Sequence, residues 1–267
     1  MAFQAASCPQ CKGALQLPDD RDVVNCMYCG ASIVVREAVR TSGPSVDTLL
    51  DLAQKAMDGQ NAAEAFQLFS RALEQDPKSY LALMGKGEAA GWLSTISNMR
   101  FTEMATYFNE AISQAPEELQ PRLRKLACLH VKTVMTALWS SAGDHAVKYA
   151  ALDDTWQEWV EKAELFVAAG ELAHNYDPGD TAALQNIVTT CKNLLQGIAY
   201  ETFRGNPSVR QLTPQQAQRF QASMDKAVWK LKKLDPAYEA PQVKKASVGC
   251  LLLFALLSAG AVLAASW

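Results

Sequence analysis

Four cysteines open the chain in two pairs, Cys8-Pro-Gln-Cys11 and Cys26-Met-Tyr-Cys29, with fourteen residues between the pairs. Two residues between paired cysteines let a tight turn aim both sulfurs at one point. Two such turns facing each other make a tetrahedral sulfur site of the kind zinc prefers. The flanks agree with this. Gly13 and Gly30 follow the two pairs, where backbone N–H groups turn toward the sulfurs and a positive φ is useful. Ala14–Leu17, Val23–Asn25 and Ser32–Val35 read as short strands, and Pro18-Asp19-Asp20 as a turn between the first two.

This stretch resembles a zinc ribbon over residues 5–37. The metal ligands expected are Cys8, Cys11, Cys26 and Cys29. With four thiolates in place no coordination position is left for catalysis, so the expected zinc is structural and supplies much of the folding free energy. A redox role for a Cys-x-x-Cys pair would call for a pair at a helix start, whereas here two pairs frame a hairpin. The remaining cysteines, Cys128, Cys191 and Cys250, are scattered singly, unlike a secreted disulfide framework. Met1 to Ser7 has neither a basic start nor a long apolar run, so no signal peptide is expected.

Charge argues against nucleic acid as the ribbon's target. Lys12, Arg21, Arg36 and Arg40 are balanced by Asp19, Asp20, Asp22 and Glu37, and the whole chain carries a formal net charge of -3. Phosphate neutralisation is the main source of such affinity, and only Phe3 and Tyr28 offer aromatic rings nearby.

Residues 38–46 read as a linker, and residues 47–240 as a helical domain. "DTLLDLAQKAMDGQNAAEAFQLFSRALEQDP" resembles a tetratricopeptide repeat. Leu49, Leu52, Ala53 and Ala56 match its first helix, and Ala65, Phe69, Ala72 and Pro77 its second. The small residues let two helices approach, and the proline stops the second. A further unit carries Leu83 and Gly87, then Phe108, Ala111 and Pro116, with a lengthened turn around "LSTISNMRFTE". Later stripes are more degenerate: Leu119 to Leu138, Trp156 to Gly170, Leu184 to Ile198, and a last helix opened by a Thr213-Pro214-Gln216 capping box. Three helices end alike, in "EQDP", "NYDP" and "KLDP". The resemblance implies stacked hairpins whose concave surface takes a protein or peptide partner. Nothing in the sequence speaks to oligomeric state.

No catalytic constellation is visible. His130 lies on an apolar stripe and reads as core, as do Trp156 and Trp159, and no phosphate-cradling glycine loop or His-Glu-x-x-His occurs. The chain is therefore expected not to be an enzyme. Lys244 and Lys245 precede Ala246 and a run of 21 uncharged residues, 247–267, with Leu251 to Leu257 nearly all hydrocarbon and Trp267 at the far end. About 20 apolar residues span a bilayer core, and the basic flank keeps the N-terminal bulk cytosolic. The layout is that of a tail-anchored protein.

The expected architecture is mostly α: a small β zinc ribbon, a helical hairpin array and one C-terminal transmembrane helix. The expected function is that of a membrane-tethered adaptor. The alternatives are a regulatory protein whose ribbon meets nucleic acid or transcription machinery, and a membrane-active effector.

Overall fold

The computed structural model describes residues 3–247. The predicted membrane segment from residue 248 onward lies outside the described residues. Among the described residues no helix is long and apolar enough to cross a membrane. The chain divides into two compact units. One is Met1–Leu93 with Thr106–Ala115, and the other is Ser94–Ala105 with the chain from Pro116 onward.

The first unit opens with two antiparallel hairpins. β1 (Phe3–Ser7) pairs with β2 (Ala14–Pro18), and β3 (Val23–Asn25) pairs with β4 (Ser32–Val34). The expected turn after Pro18 does link β2 to β3, but these two strands do not pair with each other. Each cysteine pair instead caps its own hairpin, so the two knuckles are built alike. β1 escapes sequence reading because Phe-Gln-Ala-Ala-Ser holds no β-branched residue. Helix α1 (Val35–Ser42) follows β4 directly. Val35 is expected to end the strand Ser32–Val35, but it opens the helix instead, and with Ala38 it is buried in the ribbon's core. The segment read as a linker therefore begins helical.

That core is small: Ala6, Cys8, Leu15, Leu17, Cys26, Ile33, Val35 and Ala38, two of them cysteines of the cluster. A separate core lies beneath α2 (Val46–Asp58), α3 (Ala62–Gln75) and α4 (Tyr80–Trp92), where Leu49, Ala53, Ala65, Phe69 and Ala72 are buried. α2 packs on α3 and α3 on α4. Small residues decide how closely. A Cβ at Gly85 would stand 2.2 Å from Phe69 Cζ, and one at Gly87 would stand 2.6 Å from Phe108 Cε1. Leu52, expected as a filler, is 42% exposed, whereas Phe69 fills the gap as anticipated. α5 (Phe101–Gln114) follows an eight-residue turn over 93–100, shorter than the predicted lengthened turn because Phe101 already starts the helix.

The second unit holds α6 (Gln120–Lys148), α7 (Asp153–Tyr176), α8 (Thr181–Gln196) and α9 (Pro214–Leu234), packed in chain order. Its interior is aromatic. Trp139 stacks on Trp159 at 5.4 Å and meets Phe166 edge-on at 5.1 Å, and Trp156 meets Trp159 edge-on at 5.7 Å. Trp156 and Trp159 are buried, as their helical spacing predicts. The stripe drawn through Ile198 was too long. Gly197 breaks α8 at φ +77, and Ile198 opens a third hairpin, β5 (Ile198–Glu201) with β6 (Pro207–Arg210).

The recurring Asp-Pro endings are one device used three times. Asp76, Asp177 and Asp235 each donate a backbone N–H to the carbonyl four residues back, closing the last helical turn. Each is then extended (φ -129, -132 and -135), because the following proline clashes with a helical residue before it. Each carboxylate accepts the N–H two residues on, at 3.1, 3.2 and 3.0 Å, which turns the chain away. The predicted capping box of α9 is also in place: Gln216 N–H donates to Thr213 Oγ1 at 3.3 Å, and Thr213 N–H to Gln216 Oε1 at 3.0 Å.

Candidate metal centre

The two knuckles share one hydrogen-bond scheme. Cys8 N–H donates to Gly13 O and Cys26 N–H to Ala31 O, at 2.9 and 2.8 Å. Lys12 N–H returns to Cys8 O and Gly30 N–H to Cys26 O, both at 2.9 Å. The residue after each pair must then be left-handed: φ is +61 at Lys12 and +73 at Gly30. Gly30 suits that place and Lys12 tolerates it at some cost. Gly13 has another role. A Cβ there would stand 2.5 Å from Cδ2 of Tyr28, so glycine lets the ring of the second knuckle lie against the first. The sequence reading assigned Gly13 a positive φ. The left-handed residue of the first knuckle is Lys12, which only the parallel between the two hydrogen-bond schemes reveals.

The fold brings together all four predicted ligands. The sulfurs of Cys8, Cys11, Cys26 and Cys29 lie within 4.8 Å of one another, a cluster that can hold a metal ion. Between the knuckles, Cys8 Sγ lies 3.7 Å from Cys29 Sγ and Cys11 Sγ lies 3.7 Å from Cys26 Sγ. These are far beyond a disulfide bond of about 2.05 Å, and the cysteines are free thiols. The first cysteine of each pair is buried and the second exposed. Tyr28 N–H points at Cys26 Sγ from 3.4 Å, as a donor to a thiolate should.

Electrostatics within the cluster are uneven. The backbone N–H of Cys11 and other hydrogen bonds outweigh desolvation at Cys8 and bring its thiol down to about 6. At Cys29 the Ala31 backbone N–H pulls down, but desolvation and the neighbouring sulfurs of Cys11, Cys26 and Cys8 push the thiol up to about 12. Thiols this close cannot all ionise unless a cation offsets the charge, and a bound divalent cation deprotonates them outright.

The other sulfurs stay apart. Cys128 and Cys191 are buried, and burial raises their thiols to about 11 and about 12, the behaviour of inert core cysteines. Burial lowers His130 to about 4, in keeping with its expected place on an apolar stripe. The sequence matches no protein-family model and no curated protein.

Proposed function

We propose that the protein is a membrane-tethered adaptor without catalytic activity, in which a structural zinc ribbon is joined to a tetratricopeptide-repeat-like array that grips a protein segment. Zinc is the ion favoured by four thiolates. A tetrahedron with Zn–S of about 2.3 Å has sulfur–sulfur edges of about 3.8 Å, close to the two 3.7 Å separations between knuckles. The membrane tether is the apolar run of residues 247–267, with Lys244 and Lys245 on the cytosolic side.

The observation that carries the adaptor reading is a cleft of about 540 Å³ beside α2 and α4, lined by Gln54, Met57, Asp58, Gln60, Glu88 and Trp92. Its chemistry is that of a peptide groove rather than a reaction centre. Trp92 is 45% exposed, and burial together with the charge of Asp58 raises the Glu88 carboxyl. Two carboxylates beside an open indole suit a Lys or Arg side chain of an extended segment. Peptides selected by the purified chain from a random library should be rich in Lys and Arg, and Glu88→Lys should abolish their binding. Selection of peptides with no basic preference, or binding unchanged by Glu88→Lys, would remove the cleft from the reading.

A further inference from the structure

One end of the second unit gathers features that the adaptor reading does not use. The hairpin β5–β6 is rooted there. Its last residue, Arg210, is largely buried; it donates from Nε to Ala150 O at 2.9 Å and from Nη2 to Ala151 O at 3.3 Å, and it pairs with Asp153 at 2.6 Å. The base of the hairpin is thus riveted to the turn between α6 and α7. Its tip is closed by Thr202, whose N–H donates to Asn206 O and whose Oγ1 accepts Asn206 N–H, at 2.9 and 3.0 Å. The finger is braced at both ends, and its tip presents Phe203, 82% exposed, next to Arg204.

The chain also returns to this end. After α9, Ala246 N–H donates to Gln196 O at 2.7 Å, and Gln211 Nε2 reaches Ala246 O at 3.5 Å. Gln196 ends α8 and Gln211 follows β6, so the last described residues lie at the root of the finger. Beyond them run the apolar residues 248–267. At this same end the last turn of α6 exposes Val147 (60%) and the turn to α7 exposes Leu152 (46%). Lys148 sits over the Tyr149 ring at 5.1 Å, an aromatic–cation pair of the kind found at membrane surfaces.

We infer that this end of the second unit is a membrane-facing surface: the Phe203 finger and the Leu152 turn enter the interfacial layer of the bilayer that receives the tail. The inference rests on the membrane reading of residues 247–267 and adds to it a fixed contact between the helical body and lipid. The depth to be reached is the headgroup and acyl boundary, where the apolar faces of interfacial helices sit about 5–10 Å deep. Lys148, Arg204, Lys244 and Lys245 lie at this end together with Asp154 and Glu201, and Asp153 is held by Arg210, so attraction to anionic lipid would add to apolar insertion, and a neutral bilayer isolates the apolar part.

The test uses the full chain in phosphatidylcholine vesicles, with the photoreactive residue benzoylphenylalanine placed at Phe203, at Leu152 or, as the control, at Leu129. Leu129 is also exposed (53%) but lies in the N-terminal half of α6, away from this end. Variants are first checked for unchanged far-ultraviolet helicity. Lipid adducts at Phe203 and Leu152, with background labelling at Leu129, are expected. Retention on vesicles in carbonate with equal labelling at all three positions, or protein adducts in place of lipid at Phe203, would overturn this inference alone. Loss of the unsubstituted chain from vesicles in carbonate would overturn the tail reading, and this inference with it.

Discussion

The ribbon and the helical second unit solve the same problem with opposite means. The ribbon buries eight residues, half of them alanines or cysteines. A cluster that size removes too little apolar surface to offset the entropy of ordering two hairpins and a short helix. The second unit buries Phe166, Trp156, Trp159, Leu184, Leu194 and Leu231 beneath four helices, and needs no ion. On the proposed reading one region is held by a point, a metal ion, and the other by a volume. Perturbations should therefore sort cleanly between them.

Removing the point should have the largest effect. Structural zinc contributes about 10–16 kcal/mol of binding free energy in small domains, more than a ribbon of this size can hold in reserve. Chelation, or Cys26→Ser, should collapse hydrogen-exchange protection over β1–β4 while far-ultraviolet helicity from α6–α9 persists. Metal analysis should find one zinc per chain before chelation and none after. Protected hairpins without metal would show that the ribbon stands on its own core. Removing the volume should do the reverse. Phe166 is fully buried against Trp139 and Phe101, and Phe166→Ala should cost the second unit about 3–5 kcal/mol. Urea denaturation followed by tryptophan fluorescence would measure it, with zinc content unchanged.

Acid should also separate the two regions. Burial holds His130 near a pKa of about 4 against an ordinary 6.5, so the folded state keeps it neutral. As pH falls from 6.5 the unfolded chain takes up the proton first. The stability contributed by the neutral ring is therefore full above 6.5 and is lost as pH falls to about 4, about 3 kcal/mol at most. Burial lowers His174 too, in the same direction. His130→Gln should flatten, without abolishing, the fall in urea midpoint between pH 7 and pH 4.5. An unchanged slope would mean that His130 is solvated in the folded state.

Legibility in the sequence followed the range of the interaction. The cysteine cluster could be read because a Cys-x-x-Cys turn carries its geometry in four adjacent residues. The α9 capping box and the Asp-Pro endings could be read for the same reason. Strand partners could not. Whether Ala14–Pro18 pairs forward with Val23–Asn25 or backward with Phe3–Ser7 depends on contacts between segments, and the Pro18–Asp20 turn was compatible with either. The hairpin β5–β6 was hidden because Ile198 continues the apolar spacing of α8. What ends that helix is Gly197, where a Cβ would stand 2.3 Å from Arg210 O. That conflict exists only once β6 is in place.

The smallest expected effect tests whether a local, legible device behaves as a unit. Asp76, Asp177 and Asp235 make the same bond to the N–H two residues on, at nearly the same distance, in surroundings that differ. Asp76 closes a helix of the first unit, and the other two close helices of the second. A side chain to backbone bond near the surface contributes about 0.5–1.5 kcal/mol net. The proline that follows remains in each variant and keeps the cap residue extended. Asp76→Ala, Asp177→Ala and Asp235→Ala should therefore each cost about 1 kcal/mol, with helical boundaries unchanged in amide exchange. Unequal costs would carry the information. A loss at Asp177 well above the others would mean that its turn also sets the entry to α8, where the neighbouring Asp180 caps Ala183 N–H at 2.9 Å and its other carboxylate oxygen pairs with Lys132 of α6. The stop signal would then be local in sequence but tertiary in energy, as the ribbon's cysteines are.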